Sequence, residues 1–198
     1  MPDEAEKDRS EPVPFYSFRI ELKYTKPKIW RYFYVPSNIS LNRFHVVIQK
    51  VMGWANNNMF SFRISRFVSF ESDFVSYYRT ARESRTLLEK VKLDWLGLSK
   101  GFRFTYRYDM ADRWDHILKV LDTDYVPKIP GQKYGCFDGA LACPPEGHGG
   151  VSAYYFTLDV LKDPTHNLHE EMKAFTDDKF DPEAFDIESI NRSQRRMR

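Results

Sequence analysis

The chain has 198 residues, 42% of them hydrophobic and 16% aromatic, enough for one well-buried domain and better suited to a sheet-rich core than to a helical bundle. Thirty Lys and Arg against 28 Asp and Glu leave a formal charge of +2, so the total decides nothing about a nucleic-acid or acidic partner, which needs a patch. There are two cysteines and no apolar run near the N-terminus, which predicts no signal peptide or membrane span and a cytoplasmic protein with reduced thiols.

Residues 1–14 are polar, charged and bounded by prolines, a pattern that predicts a disordered arm able to bury nothing. From Phe18 the pattern becomes strict, with Phe18, Ile20, Leu22 and Tyr24 on one face and Ser17, Arg19, Glu21 and Lys23 on the other. That alternation predicts a strand over 17–24 with one dry and one wet side. Lys26-Pro27 turns the chain into a second strand over 29–35. Ser40 then caps a helix over 41–52, closed by Gly53, with Leu41, Phe44, His45, Ile48, Val51 and Met52 on one stripe. His45 on that stripe reads as a core histidine with a backbone partner. A third strand is predicted over 59–66, a long polar loop or extended edge over 69–85, and a short helix with a turn over 87–98.

Residues 102–109 and 114–121 form a predicted hairpin. Its turn concentrates Asp109, Asp112, Asp115 and His116 within eight positions. The stretch Cys136 to Gly150 reads as a rigid loop carrying Cys136, Cys143, Glu146 and His148, stiffened by Pro144-Pro145. Further on, Ser152 caps a helix carrying Tyr154, Leu158 and Leu161 and stopped by Asp163-Pro164, and Leu168, Met172 and Phe175 repeat the same spacing. Asp181-Pro182-Glu183 reads as the start of a last helix, and 193–198 as a basic tail. Strands first and helices afterwards predict a single α+β domain over 15–192, its sheet largely antiparallel or mixed and packed against several helices. Strands 17–24, 29–35, 59–66, 102–109 and 114–121 should share that sheet, with helix 41–52 on the face that bears Phe18, Ile20 and Leu22.

Several motifs also resemble a known family. Lys26 to Arg31, Val35-Pro36, Leu41 to Gln49 and Met52-Gly-Trp54 are similar to the opening of the Ri-plasmid ORF-3-like proteins. Tyr106 to His116 resembles that family's Tyr-Asp-Phe-Gly-Asp-x-Trp-Glu-His signature, and Cys143-Pro-Pro-Glu-Gly-His-Gly-Gly150 its Cys-Pro-Pro-Glu-Asp-Cys-Gly-Gly loop. Phe180 to Phe185 matches the family's C-terminal helix start. The resemblance covers roughly residues 15 to 192 and implies a small α+β protein of plasmids, transposons and prokaryotic chromosomes, some of whose members carry a transposon resolvase label. The chain departs from the pattern at Asn56-Asn57-Asn58-Met59, where the family usually has one or two histidines. It also departs at Met110-Ala111, Gly147 and His148, the last in place of the second loop cysteine.

Three chemistries compete for these residues. Cys136, Cys143, His148 and His116 are a candidate zinc set, though six residues between the cysteines exceed the short knuckle spacing. Asp109, Asp112, Asp115, His116, Glu146 and His148 form a candidate shared polar site. It would serve a metal-dependent hydrolase or a nucleic-acid-processing enzyme. No nucleophile elbow, phosphate-binding glycine loop or His-Glu-x-x-His accompanies it, so the sequence favours a binding or accessory module with a protein or nucleic-acid partner. Arg19, Lys23, Arg63, Arg103 and Arg107 lie on wet strand faces and would form a basic sheet face. The strand aromatics read as pointing the other way, which argues against a base-stacking platform.

Overall fold

The computed structural model describes residues 12–72, 81–176 and 180–195. Seven strands form one antiparallel sheet: β1 (Phe15–Leu22), β2 (Trp30–Pro36), β3 (Phe60–Arg63), β4 (Ser69–Glu71), β5 (Arg103–Tyr108), β6 (Trp114–Tyr125) and β7 (Gly135–Ala140). Their spatial order is β4-β3-β5-β6-β1-β2-β7. The five predicted strands share this sheet, and the α+β class holds.

Side chains alternate across each strand, and one face receives the first helix, α1 (Leu41–Met52). The Ser40 hydroxyl accepts from the Arg43 N–H (3.2 Å) at its start, and Gly53 closes it in a left-handed conformation. Phe44 projects from α1 into the sheet, against Phe18 (5.2 Å between ring centroids), Phe33 (6.0 Å) and Phe62 (5.6 Å). Phe18, Ile20, Leu22, Phe33, Phe62, Leu118 and Val120 are fully buried beneath it. This is the packing that the alternation from Phe18 to Leu22 predicted; Tyr24, expected on the dry face, instead lies left-handed and exposed in the turn after β1, and Ser17, expected wet, is buried.

The remaining helices are α2 (Ala81–Lys90), α3 (Gly150–Lys162), α4 (His169–Thr176) and α5 (Ile187–Arg195), with a 3-10 turn at Leu93–Leu96. Several differ from the sequence reading. The supposed loop over 69–85 supplies edge strand β4 and the first turn of α2, whose apolar stripe is too sparse to show a period. Ser84 and Leu88 are its buried positions. Helix α3 starts at Gly150 with Gly149 at the cap, so Ser152, expected to be the cap, lies inside its first turn. Asp181 starts a turn rather than a helix: its carboxylate accepts from the Glu183 N–H (2.9 Å) and its carbonyl from the Ala184 N–H (3.1 Å). The cap of α5 is Asp186, which accepts from the Ser189 N–H (2.9 Å). Ser193 to Arg195 belong to α5, not to a tail, and Gln194 is buried. Residues 196–198 and residues 1–11 of the N-terminal arm lie outside the described residues.

The largest surprise is β7, drawn from the segment read as a loop. Gly135 and Gly139 hide its strand character, yet both are needed. An added Cβ at Gly135 would lie 2.5 Å from the Tyr34 ring, and at Gly139 2.6 Å from the Phe185 ring. The free edge of β7 is closed by a side chain of α5. The Asn191 amide oxygen accepts from the Cys136 N–H (2.8 Å) and its NH2 donates to the Cys136 carbonyl (2.8 Å), as a neighbouring strand would. We expect Asn191→Ala to destabilise the protein by about 1–3 kcal/mol, because the Cys136 N–H loses its partner in a half-buried place. Urea unfolding of variant and parent gives the difference, and unchanged stability would show that the edge does not need this cover.

Candidate functional site

The β5–β6 turn and the Cys/Pro loop meet, as their polar content suggested. Asp109 shapes the turn from a left-handed backbone conformation, its Oδ1 accepting from the N–H groups of Ala111 (2.9 Å) and Asp112 (3.2 Å). Asp112 reaches across, its Oδ2 accepting from the Gly149 N–H (3.1 Å) at the start of α3. Gly150 follows so closely that an added Cβ would lie 2.5 Å from the Asp112 carbonyl oxygen, which is why glycine is needed there.

Glu146 is the second tie. Its Oε2 accepts from the Ala55 N–H (3.0 Å) and its Oε1 from the Tyr108 hydroxyl. That hydroxyl itself accepts from the Asn57 N–H (3.0 Å). Burial, then the bond to Glu146, pushes the Tyr108 hydroxyl up to about 12. Beside it the Trp54 indole N–H donates to the Pro144 carbonyl (2.9 Å). The Cys/Pro loop is therefore bound at once to the α1–β3 connection and to the hairpin. A hollow of about 390 Å³ opens here, lined by Gly53, Trp54, Cys143, Pro145, Glu146 and Phe180 among others.

Two members of the predicted site lie elsewhere. Asp115 faces the opposite side of the sheet from His116, since neighbours on a strand alternate, and forms a bidentate pair with Arg107 (2.6 and 3.0 Å). His116 is fully buried against Trp54 (5.3 Å) and Tyr106 (5.4 Å), and neither ring nitrogen has a hydrogen-bond partner among the described residues. It therefore bonds to neither Glu146 nor His148. Burial pushes its imidazole down to about 4, against the weaker pull of the nearby Tyr106 and Trp114 carbonyls, which stand outside hydrogen-bonding geometry. His148 is likewise buried and without a hydrogen bond, packed on Phe175 (4.5 Å), and burial lowers its pKa.

The candidate zinc ligands are dispersed. Cys136 sits on β7 with its thiol toward the Asp138 carbonyl (3.5 Å), while Cys143 lies between an Arg31 Nη2 (3.6 Å) and the Met52 sulfur (3.8 Å). Burial pushes both thiols up to about 11. Among the described residues no three of His, Cys, Asp and Glu come close enough together to hold a metal ion.

A polar ring in the core escaped sequence reading. The Gln49 amide donates to the Tyr106 hydroxyl (2.8 Å), which stands 2.8 Å from His45 Nδ1. His45 Nε2 bonds the Asn56 side-chain oxygen, and the Asn56 N–H returns to Gln49 Oε1 (3.1 Å). The network assigns the His45 proton to Nε2, with Tyr106 donating to Nδ1. His45 thus has side-chain partners rather than the backbone partner expected. Its pKa, too, is pushed down to about 4, by burial.

The open face of the sheet carries what the other candidates lacked. Arg19 pairs with Lys119 across β1–β6, and Lys119 with Arg103 across β6–β5. Three cations therefore stand in one cross-strand row, with Tyr32 opposite Arg19 on β2. Lys119 was not among the basic residues singled out from sequence, because Ile117 and Leu121 flank it on the same face. Arg63 is exposed on β3, Lys23 lies over the Tyr24 ring (5.0 Å), and Arg107 is neutralised by Asp115.

The aromatics are not confined to the core either. Rings follow one another across the open face: Trp30 to Tyr32 (4.6 Å), Tyr32 to Phe137 (5.7 Å), Phe137 to Tyr125 (5.3 Å), Tyr125 to Tyr34 (5.2 Å) and Tyr34 to Phe15 (5.8 Å). The expectation that aromatics point only inward fails because β2 carries rings on both faces, Phe33 inward and Trp30, Tyr32 and Tyr34 outward.

Comparison with known proteins agrees with this architecture. Residues 14–189 match the family described as plasmid pRiA4b ORF-3-like protein. The uncharacterized protein y4hQ of Sinorhizobium fredii is 30% identical over 153 residues, covering 77% of this chain and 76% of that one. The crystal structure of the protein of unknown function MM3350 from Methanosarcina mazei Go1 superposes with a TM-score of 0.73 at 27% identity, covering 88% of this chain and 96% of the other. Among the described residues no helix is long and apolar enough to cross a membrane.

The buried histidines make stability depend on pH in a definite direction. Folded-state values near 4 for His45 and His116 lie below the ordinary 6.5. Between those limits the unfolded chain binds protons that the folded chain refuses, so stability should fall as pH drops from about 6.5 towards 4 and level off below. Urea midpoints measured across this range should show the loss, and His116→Phe should flatten it. An unchanged slope in that variant would mean His116 contributes nothing to it.

Proposed function

This chain belongs to the family of plasmid pRiA4b ORF-3-like proteins, and for it we propose a binding role without catalysis, in which the open sheet face receives an anionic macromolecule. One observation carries the reading: the row Arg19, Lys119, Arg103 is built across three adjacent strands with a single acid, Glu21, paired to it among the described residues. Glu21 is shared between Arg19 (2.9 Å) and Lys28 (3.1 Å), and neither Lys119 nor Arg103 has an ion-pair partner among the described residues. Like charges placed directly opposite on neighbouring strands are destabilising, so this arrangement favours a bound polyanion.

The Asp/Glu/His site supports the same reading from the other side. Glu146 and Asp112 accept hydrogen bonds that hold two segments together, and His116 and His148 are buried neutral rings. These are the duties of a clamp. The two free thiols, Cys136 buried and Cys143 half-buried, support a reducing, cytoplasmic setting.

Retention on immobilised heparin, a generic polyanion, tests the proposal. Wild type should elute at clearly higher salt than Lys119→Glu or Arg103→Glu. Lys50→Glu, the same charge change on the exposed side of α1, should elute near wild type. Equal displacement by all three would reduce the effect to net charge and sink the assignment to this face.

A further inference from the structure

The ring ladder beside the cation row narrows the polyanion to one class. We infer that the open face binds single-stranded nucleic acid, with phosphates along Arg19, Lys119 and Arg103 and bases on the rings that begin at Trp30 and Tyr32. The inference rests on the reading of this face as a polyanion site, and adds what the polyanion is.

Three features point to bases rather than to charge alone. The Arg19 guanidinium lies over Trp30 (5.2 Å to the ring centroid) and Tyr32 (5.9 Å), so charge and ring faces meet at one place. Its Nε is buried and has no hydrogen-bond partner among the described residues. A hollow of about 180 Å³ opens next to this stack, floored by Ile117 and Leu121 and rimmed by Arg19, Tyr32, Arg103 and Lys119. Glu21 also lines it, its carboxylate held by Arg19 and Lys28. Asp138, opposite Tyr32 on β7, turns its carboxylate to the Gly139 N–H (2.8 Å).

The ladder then continues away from the row through Phe137 to Tyr125, where it ends against the buried Tyr34. Trp30, Tyr32, Phe137 and Tyr125 are half-buried, so each keeps ring surface in solvent. Tyr34 lies flat on β7 because Gly135 has no side chain, and an added Cβ would lie 2.5 Å from the ring. Adjacent strands are roughly 5 Å apart, so the three cations span roughly 10 Å, enough for two or three consecutive phosphates of one strand. Side chains with π faces accept any unpaired base, whereas a duplex hides its base faces in the stack. A charged groove beside successive rings is the general solution for single strands without sequence preference.

The test measures fluorescence anisotropy with labelled oligo-dT and oligo-U of about twelve nucleotides, the same dT strand annealed to its complement, and poly-glutamate as competitor. Single strands should bind better than the duplex. The logarithm of affinity should fall against log salt with a slope of about −2, from roughly 0.7 per phosphate contact on a single strand. Lys119→Gln should weaken binding, lower that slope by about 0.7 and raise the melting temperature by relieving repulsion from Arg19 and Arg103. A merely structural lysine would not do both. Trp30→Leu should weaken oligonucleotide binding about tenfold or more while leaving heparin retention near wild type, and Trp30→Phe should restore most of it. Heparin retention without oligonucleotide binding overturns the inference and leaves the polyanion reading standing. Competition by poly-glutamate at least as strong as by unlabelled oligonucleotide overturns it in favour of an acidic peptide, and equal affinity for duplex removes the role of the rings. Loss of heparin retention as well takes both down.

Discussion

The alternation along β6 is the constraint on which the rest of this structure depends. Trp114, His116, Leu118 and Val120 point into the core and are fully buried, while Asp115, Ile117, Lys119 and Leu121 point out. β6 lies between β5 and β1, so its register aligns both neighbours: Lys119 meets Arg103 on one side and Arg19 on the other only because Leu118 meets Phe104 and Ile20 on the opposite face. A slip of β6 by one residue would exchange its two sets, burying Lys119 and Asp115 and breaking the row. The hydrophobic core and the basic row are two results of one register.

Polar groups inside the domain hold the register of loops rather than strands. The ring of Gln49, Tyr106, His45 and Asn56 ties α1 to β5 and to the chain leaving α1. Its members satisfy one another, which removes most of the cost of burying them. Glu146 and Asp112 do the same for the Cys/Pro loop at the hairpin end, and Tyr155 fixes α3 to the β1–β2 turn by accepting from the Lys26 N–H (2.6 Å) and donating to the Lys26 carbonyl (3.1 Å). Arg31 belongs to this group. Buried with no acid paired to it among the described residues, it donates to the carbonyls of Trp30, Ala140 and Leu141 (2.6 to 2.8 Å) and lies over Phe185.

The open face follows the opposite rule. Its rings are stacked or tilted against one another, with Trp30, Tyr32, Phe137 and Tyr125 half-buried, and its central cations repel one another. A surface selected for stability alone would intersperse charges of both signs. Keeping Lys119 between two arginines costs stability, and a ligand carrying negative charge would offset it. The helices on the other side of the sheet, α1 foremost, allow this, because the core they seal does not depend on the exposed residues.

Local chemistry made much of the fold legible in the sequence. The alternation from Phe18 to Leu22, the Ser40 and Gly53 caps of α1 and the polar turn at Asp109 each depend on near neighbours, and each appears where expected. The meeting of the hairpin mouth with the Cys/Pro loop was legible too, since three carboxylates and an imidazole exceed what a turn needs. Strand β7 was not, because its pattern is broken by two glycines whose reason is the approach of Tyr34 and Phe185, distant in sequence. Nor was the role of Asn191, which acts as a strand neighbour from a helix. His116 and Asp115 looked like one site and point to opposite faces. The residues of the proposed binding face come from β1, β2, β5, β6 and β7, and their order across the sheet is a property of pairing. Sequence alone determined which side chains of β5, of β6 and of β1 from Phe18 to Leu22 would be wet or dry, because that rests on a period of two. Only the tertiary structure decided which wet residues stand side by side, because that rests on register between strands far apart in the chain.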